Sequence, residues 1–189
     1  ESLKGLDALI FDIQDVGSRY YTFVYTMALC MKVAAKAKVA FFVLDRPNPI
    51  GLDLVEGNLV QPGFESFVGL YPLPNRHGMT AGELARYFNK EHALGCELHV
   101  IPCEGLSRDM PWHQTGLPWV QPSPNMPTVD TALVYPGQCL WEGTLCSEGR
   151  GQTRPFEVFG SPGLDPFAYA EAVRAEKLPG VEFRPLYFR

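Results

Sequence analysis

Acids and amides crowd into one short stretch, Asp12-Ile-Gln-Asp-Val-Gly17, directly after the apolar run Ala8 to Ile13. A strand-length apolar run of this kind predicts burial on both faces, as in a parallel sheet. In open α/β sheets ligands bind outside the carboxyl ends of the strands. Asp12, Gln14 and Asp15 are therefore predicted at the rim where such folds place their chemistry. Asp45, Glu56, Asp130, Glu142 and Glu148 also stand in turn-rich sequence. Carboxylates in loops suit acid and base work on a glycosidic bond. The same setting suits helix caps and tight turns.

Guanidiniums supply the complementary charge, in Arg46-Pro-Asn48, Arg76-His77-Gly78 and Arg150-Gly-Gln-Thr-Arg154. Arg binds a carboxylate through two parallel hydrogen bonds, so these positions fit an anionic substrate group. Surface ion pairing is the plain alternative. Trp112, Trp119, Trp141, Tyr21, Tyr71 and Tyr135 flank the same loops. Their faces suit sugar rings, and equally suit anchoring a long loop.

Other chemistries lose their signatures. The sequence carries no G-x-G-x-x-G after a strand, no P-loop and no G-x-S-x-G elbow. His77, His92, His99 and His113 make no paired-ligand spacing, so neither metal nor cofactor is expected. The formal charge of −5 gives no basic footprint for nucleic acid. The longest apolar runs fall short of the ~18 residues that a membrane span needs. Five cysteines without a C-x-x-C predict free thiols, most of them acting as small apolar side chains.

The elements that must position these groups follow from pattern. Residues 21–38 lack Gly and Pro and repeat Phe23, Met27, Cys30, Met31 and Ala34 at helical spacing. Val39 to Asp45 is a second buried-type strand. Together these predict a right-handed βαβ unit, whose strands bring Asp12, Asp15 and Asp45 to one crevice. A long loop runs from Arg46 to Met79. Thr80 and Glu83 form a capping-box pattern for a helix to about His92, and Glu97 to Cys103 reads as a third strand. From Glu104 to Gly163 the chain is rich in Pro and Gly, with Leu133-Val-Tyr135 as a strand candidate. Asp165-Pro166 opens another helix, to about Lys177. Val181 to Phe188 reads as a last strand. The fold class is α/β, a Rossmann-like, mostly parallel sheet flanked by helices. Residues 1–160 form that domain with its long loops, and 161–189 begin a smaller C-terminal subdomain. The abrupt ends predict a piece of a longer protein.

At these residues the sequence resembles one family. Its motifs are matched by Phe11-Asp-Ile-Gln-Asp-Val-Gly17 with Arg19-Tyr-Tyr-Thr22, and by Leu44-Asp-Arg-Pro-Asn-Pro-Ile50 with Glu56-Gly57. Arg76-His-Gly-Met-Thr-Ala-Gly-Glu-Leu84, Pro122-Ser-Pro-Asn-Met-Pro127, Tyr135-Pro-Gly137, Trp141-Glu-Gly143 and Ser147-Glu-Gly-Arg-Gly-Gln-Thr-Arg-Pro-Phe156 continue the match. The family is the NamZ-type exo-β-N-acetylmuramidases, glycoside hydrolase family 171, also known as domain-of-unknown-function family 1343. The resemblance implies release of terminal, non-reducing N-acetylmuramic acid from peptidoglycan fragments by a secreted or periplasmic protein. It implies a cleft between a Rossmann-like domain and a C-terminal subdomain. Family members are longer and carry upstream a Glu-His-Gly segment thought to supply a catalytic glutamate.

On this reading Asp15 and Glu148 are the carboxylates expected nearest the reaction centre. Arg19, Arg46 and Arg150 are expected to bind the lactyl carboxylate. Asn48, His77 and Asn125 are expected to hydrogen-bond hydroxyl or acetamido groups. Asp12, Gln14, Tyr21, Asp45, Glu56 and Glu142 complete the expected substrate-binding set. The alternative is a non-catalytic module that binds peptidoglycan or another anionic glycan.

Overall fold

The computed structural model describes residues 3–188. Three parallel strands, β1 (Ala8–Phe11), β2 (Ala40–Leu44) and β3 (Leu98–Ile101), lie in the order β1-β2-β3. Leu9 pairs with Phe41, and Phe41 with Leu98, so all three strands end at one edge. Helix α1 (Phe23–Ala37) joins β1 to β2, and α2 (Ala81–Glu91) lies between β2 and β3. The α/β architecture expected from the pattern is therefore present.

Right-handed crossovers that step steadily in one direction place both helices on the same face of the sheet. The inward side chains Leu9, Phe11, Phe41, Val43, Leu98 and Val100 meet Met27, Met31, Leu84 and Phe88 there in one apolar core. The opposite face carries Ile10 and Ile101, both more than half exposed. The expectation that β1 is buried on both faces is thus corrected. Its apolar run covers two faces, but only one of them is packed by helices in this chain.

Thr80 starts α2 as its pattern predicts. Its side chain accepts from the Glu83 N–H, while the Glu83 carboxylate accepts from the Thr80 N–H. The Thr80 hydroxyl also donates to Asp45 Oδ2 at 2.7 Å, and the Gly82 N–H donates to Asp45 Oδ1 at 2.8 Å. An added Cβ at Gly82 would come within 2.7 Å of Asp45 Oδ2, so only glycine lets β2's end approach the helix this closely.

Two sequence expectations change in the second half. Leu133-Val-Tyr135 lies within helix α3 (Val129–Gln138), not in a strand. The Thr128 side chain accepts from the Thr131 N–H, and burial of Ala132 and Tyr135 at helical spacing overrides local β preference. Residues 181–188 are not a strand. They have no ladder partner among the described residues, and an extended segment becomes a strand only when another backbone pairs with it. The segment instead lines a groove of about 870 Å³ with Phe159 and Tyr169. Helix α4 (Pro166–Ala175) begins as predicted, with Asp165 accepting from the Phe167 and Ala168 N–H groups.

The five thiols are free, and Cys96 alone is fully buried. Burial pushes the Cys139 thiol up to about 11 and raises Cys96 and Cys103 as well. A raised pKa leaves less thiolate at neutral pH, and the thiolate is the reactive form. Iodoacetamide at pH 8 is expected to label these three more slowly than a free cysteine, as read by peptide mass spectrometry on the native protein. The substitution Thr80→Ala removes the cap and its bond to Asp45. It is expected to cost about 1–2 kcal/mol, measured as a lower urea midpoint at unchanged slope.

Candidate active site

Two neighbouring regions gather at the carboxyl edge of the sheet. The first is a cavity of about 510 Å³ lined by Asp12, Asp45, Arg46, Pro47, Cys103 and Glu104, among others. Each of these follows a strand end, as the topology requires. Arg46 Nη2 lies 2.7 Å from Asp12 Oδ1, and both side chains are partly exposed. Asp45 contributes less to this cavity than expected, because both its oxygens hold the start of α2.

The second region is built on a small apolar cluster. Val16, Tyr21, Ile50, Met126, Ala132, Tyr135 and Phe156 pack together there. Tyr21 meets Tyr135 edge-on at 6.1 Å between centroids, and Tyr135 meets Phe156 at 4.7 Å. Burial raises the Tyr21 hydroxyl above its usual range, and the nearby Asp15 charge adds to that. Phe156 is 1% exposed and has φ +64°. A bulky side chain at positive φ is strained, and persists only where its surroundings over-determine it. Here the Phe156 N–H donates to the Glu148 carbonyl at 2.7 Å, and its ring lies 5.1 Å beneath the Arg150 guanidinium.

Arg150 stands between two acids. Its Nε lies 2.7 Å from Glu148 Oε1, and its Nη2 donates to Glu142 Oε1. Partial burial works against the Arg150 charge, but the bond to Glu142 and the charges of both acids outweigh it and raise its pKa. Glu148 is 8% exposed, whereas Glu142 is open to solvent. Asn125 Oδ1 accepts from the Gly151 N–H at 3.4 Å, which ties the 122–127 segment to the Arg150 loop.

Gln14 connects the two regions. Its Nε2 donates to the Asp15 carbonyl at 2.7 Å and to the Pro47 carbonyl at 2.9 Å. Asp15 itself turns inward. Its side chain is 6% exposed and lies 3.1 Å from His77, whose side chain is fully buried.

The remaining sequence candidates serve the scaffold. Arg19 donates from Nη1 to the Asn58 and Leu73 carbonyls at 2.5 and 2.8 Å, and is buried. Asn48 donates to the Met79 carbonyl and accepts from the Ile50 N–H. Glu56 pairs with Arg76 through both backbone and side chain. In these positions Arg19 and Asn48 supply donors that buried backbone carbonyls need. The sequence reading also missed groups: Ser123 opposite Tyr21, and the left-handed Phe156, which no local signal announces. Among the described residues no group of three His, Cys, Asp or Glu side chains could hold a metal ion.

Comparison with known proteins bears on this arrangement. Residues 1–130 match the family model for the N-terminal part of exo-beta-N-acetylmuramidase NamZ, and residues 133–189 match its C-terminal part. The chain is 50% identical over 188 residues to the peptidoglycan beta-N-acetylmuramidase NamZ of Bacillus subtilis, all of this chain against 45% of that protein. It resembles a crystal structure of a DUF1343 family protein from Bacteroides fragilis, at 40% identity and a TM-score of 0.93. That match covers 99% of this chain and 50% of the other. A second B. fragilis DUF1343 structure matches at 41% identity and a TM-score of 0.77, covering 85% and 45%. The chain thus spans about half the length of the relatives it matches. With two family models matching along its length, the chain belongs to the NamZ exo-β-N-acetylmuramidase family.

Proposed function

We propose that the protein containing this chain hydrolyses the terminal, non-reducing β-N-acetylmuramic acid linkage of peptidoglycan fragments, outside the cytoplasmic membrane where that polymer lies. The observation that carries this reading is 50% identity along the entire chain to a peptidoglycan beta-N-acetylmuramidase. Among the described residues no helix is long and apolar enough to cross a membrane.

Glycoside hydrolysis uses two carboxyl groups on opposite sides of the bond. One protonates the leaving oxygen, and the other acts as nucleophile or activates water. Glu148 is the carboxylate of this chain that we place at the reaction centre, largely buried and aligned by Arg150. Arg46 pairs with Asp12 and lines the strand-end cavity. Arg46 is the guanidinium we place at the lactyl carboxylate, because it lines that cavity and Arg150 does not.

The full-length protein is expected to release N-acetylmuramic acid from a muramyl-glucosamine disaccharide. Binding by calorimetry without turnover would favour the glycan-binding module instead. Glu148→Gln is expected to lower kcat by about 100-fold or more, within the range of general acid-base effects. Arg46→Ala is expected to act mainly by raising KM, and Arg150→Ala mainly by lowering kcat, in steady-state assays of the same substrate.

A further inference from the structure

Asp15 and His77 are 62 positions apart in sequence and among the most buried polar side chains of the protein. The Met79 N–H donates to His77 Nδ1 at 3.2 Å. That nitrogen therefore carries a lone pair, and the ring hydrogen sits on Nε2, which points at Asp15 Oδ2 3.1 Å away. The Gly17 N–H donates to the same oxygen at 2.8 Å. Both His77 nitrogens are thus engaged inside the protein, and the residue is 1% exposed. It has no valence left for the sugar hydroxyl or acetamido group expected from the sequence.

The pair lies within a seam between two loops. The Arg19 N–H donates to the Asn75 carbonyl at 2.9 Å, and the His77 N–H to the Gly17 carbonyl at 3.4 Å. Gly17 has φ +82°, and a Cβ there would come within 2.3 Å of Asn48 Oδ1. Asn48 in turn donates to the Met79 carbonyl at 3.0 Å. The seam fixes the 15–21 loop, which carries Val16 and Tyr21 into the cluster beneath Arg150.

We infer that His77 is a positioning residue: it orients the Asp15 carboxylate, and the pair sets the Val16–Tyr21 loop against the segment bearing Glu148 and Arg150. This deepens the glycosidase reading and rests on it. Asp15 then supports the reaction from inside the protein and does not meet the substrate. His77 acts on turnover through geometry, not through a contact with the sugar. A glutamine at this position keeps an N–H that can reach Asp15, whereas alanine does not.

The test uses the full-length protein carrying His77→Gln, His77→Ala, Asp15→Asn and the Asp15→Asn/His77→Ala double change, each checked for folding by thermal melting. His77→Ala is expected to lower kcat about tenfold or more while KM moves less than about threefold. His77→Gln is expected to recover most of that loss. The double variant should be no slower than the worse single variant, because both changes break one interaction. Losses that multiply, a glutamine variant as poor as alanine, or a raised KM at unchanged kcat would each overturn the assignment. If the alanine variant does not fold, His77→Phe, which keeps ring volume but has no N–H for Asp15, takes its place alone and combined with Asp15→Asn. Nitrogen-15 spectra of the wild-type imidazole at neutral pH supply a readout without activity. Hydrogen on Nε2 and a bare Nδ1 support the pairing, and hydrogen on Nδ1 rejects it. Should the wild-type protein release no N-acetylmuramic acid, the glycosidase reading falls while these spectra still decide the pairing.

Discussion

Burial of Val16, Tyr21, Tyr135 and Phe156 against one another is the constraint on which the site depends. The sheet can place Asp12 and Arg46 at its edge, because parallel strands end together. It cannot place Glu148 or Arg150, which belong to irregular chain far along the sequence. Only side-chain packing across that distance does so. The Tyr20 hydroxyl, donating to the Pro136 carbonyl 116 residues away, shows how directly the loop after β1 touches the end of α3. Ordering two long loops costs backbone entropy at every residue. Aromatic burial, with a large area per residue, is the favourable contribution best suited to offset it.

Three of the helices were legible because their signals are local. Period in α1, the capping box at Thr80 and Glu83, and the Asp165-Pro166 start each depend on residues within one or two helical turns. They appear where pattern placed them. Helix α3 was hidden because Leu133-Val-Tyr135 satisfies strand and helix preferences alike, and the decision fell to the Thr128 cap and to Ala132 and Tyr135 in the cluster. Residues 181–188 show the converse. Their composition suits a strand, but a strand is a property of two segments, and composition reports only one.

Site residues were legible by region and not by role. Strand-end position drew attention to Asp12, Gln14, Asp15 and Asp45, which follow the ends of β1 and β2. It could not say which way each side chain turns. Asp12 faces the cavity, Asp15 faces the interior and Asp45 caps α2. The arginines divide in the same manner. Arg19 and Arg76 hold carbonyl groups of the 46–79 loop. An arginine near a cleft satisfies backbone oxygens as readily as a substrate carboxylate, since five donors in a planar fork match either.

These allocations explain why so irregular a loop can lie beside a reaction centre. Residues 46–79 contain no helix or ladder strand, yet their carbonyl groups at Pro47, Ile50, Leu52, Asn58, Leu73, Gly78 and Met79 accept from side chains: Gln14, Asn48, Arg19, Arg76 and Arg108. Side-chain amides and guanidiniums thereby replace the backbone donors that a sheet would supply. A loop held in this way keeps a fixed shape without regular structure. It leaves the carboxyl edge of β1 and β2 uncovered by a further strand or helix from this loop, so Asp12 and Arg46 stay at the surface of their cavity while Asp15 and His77 remain enclosed behind them.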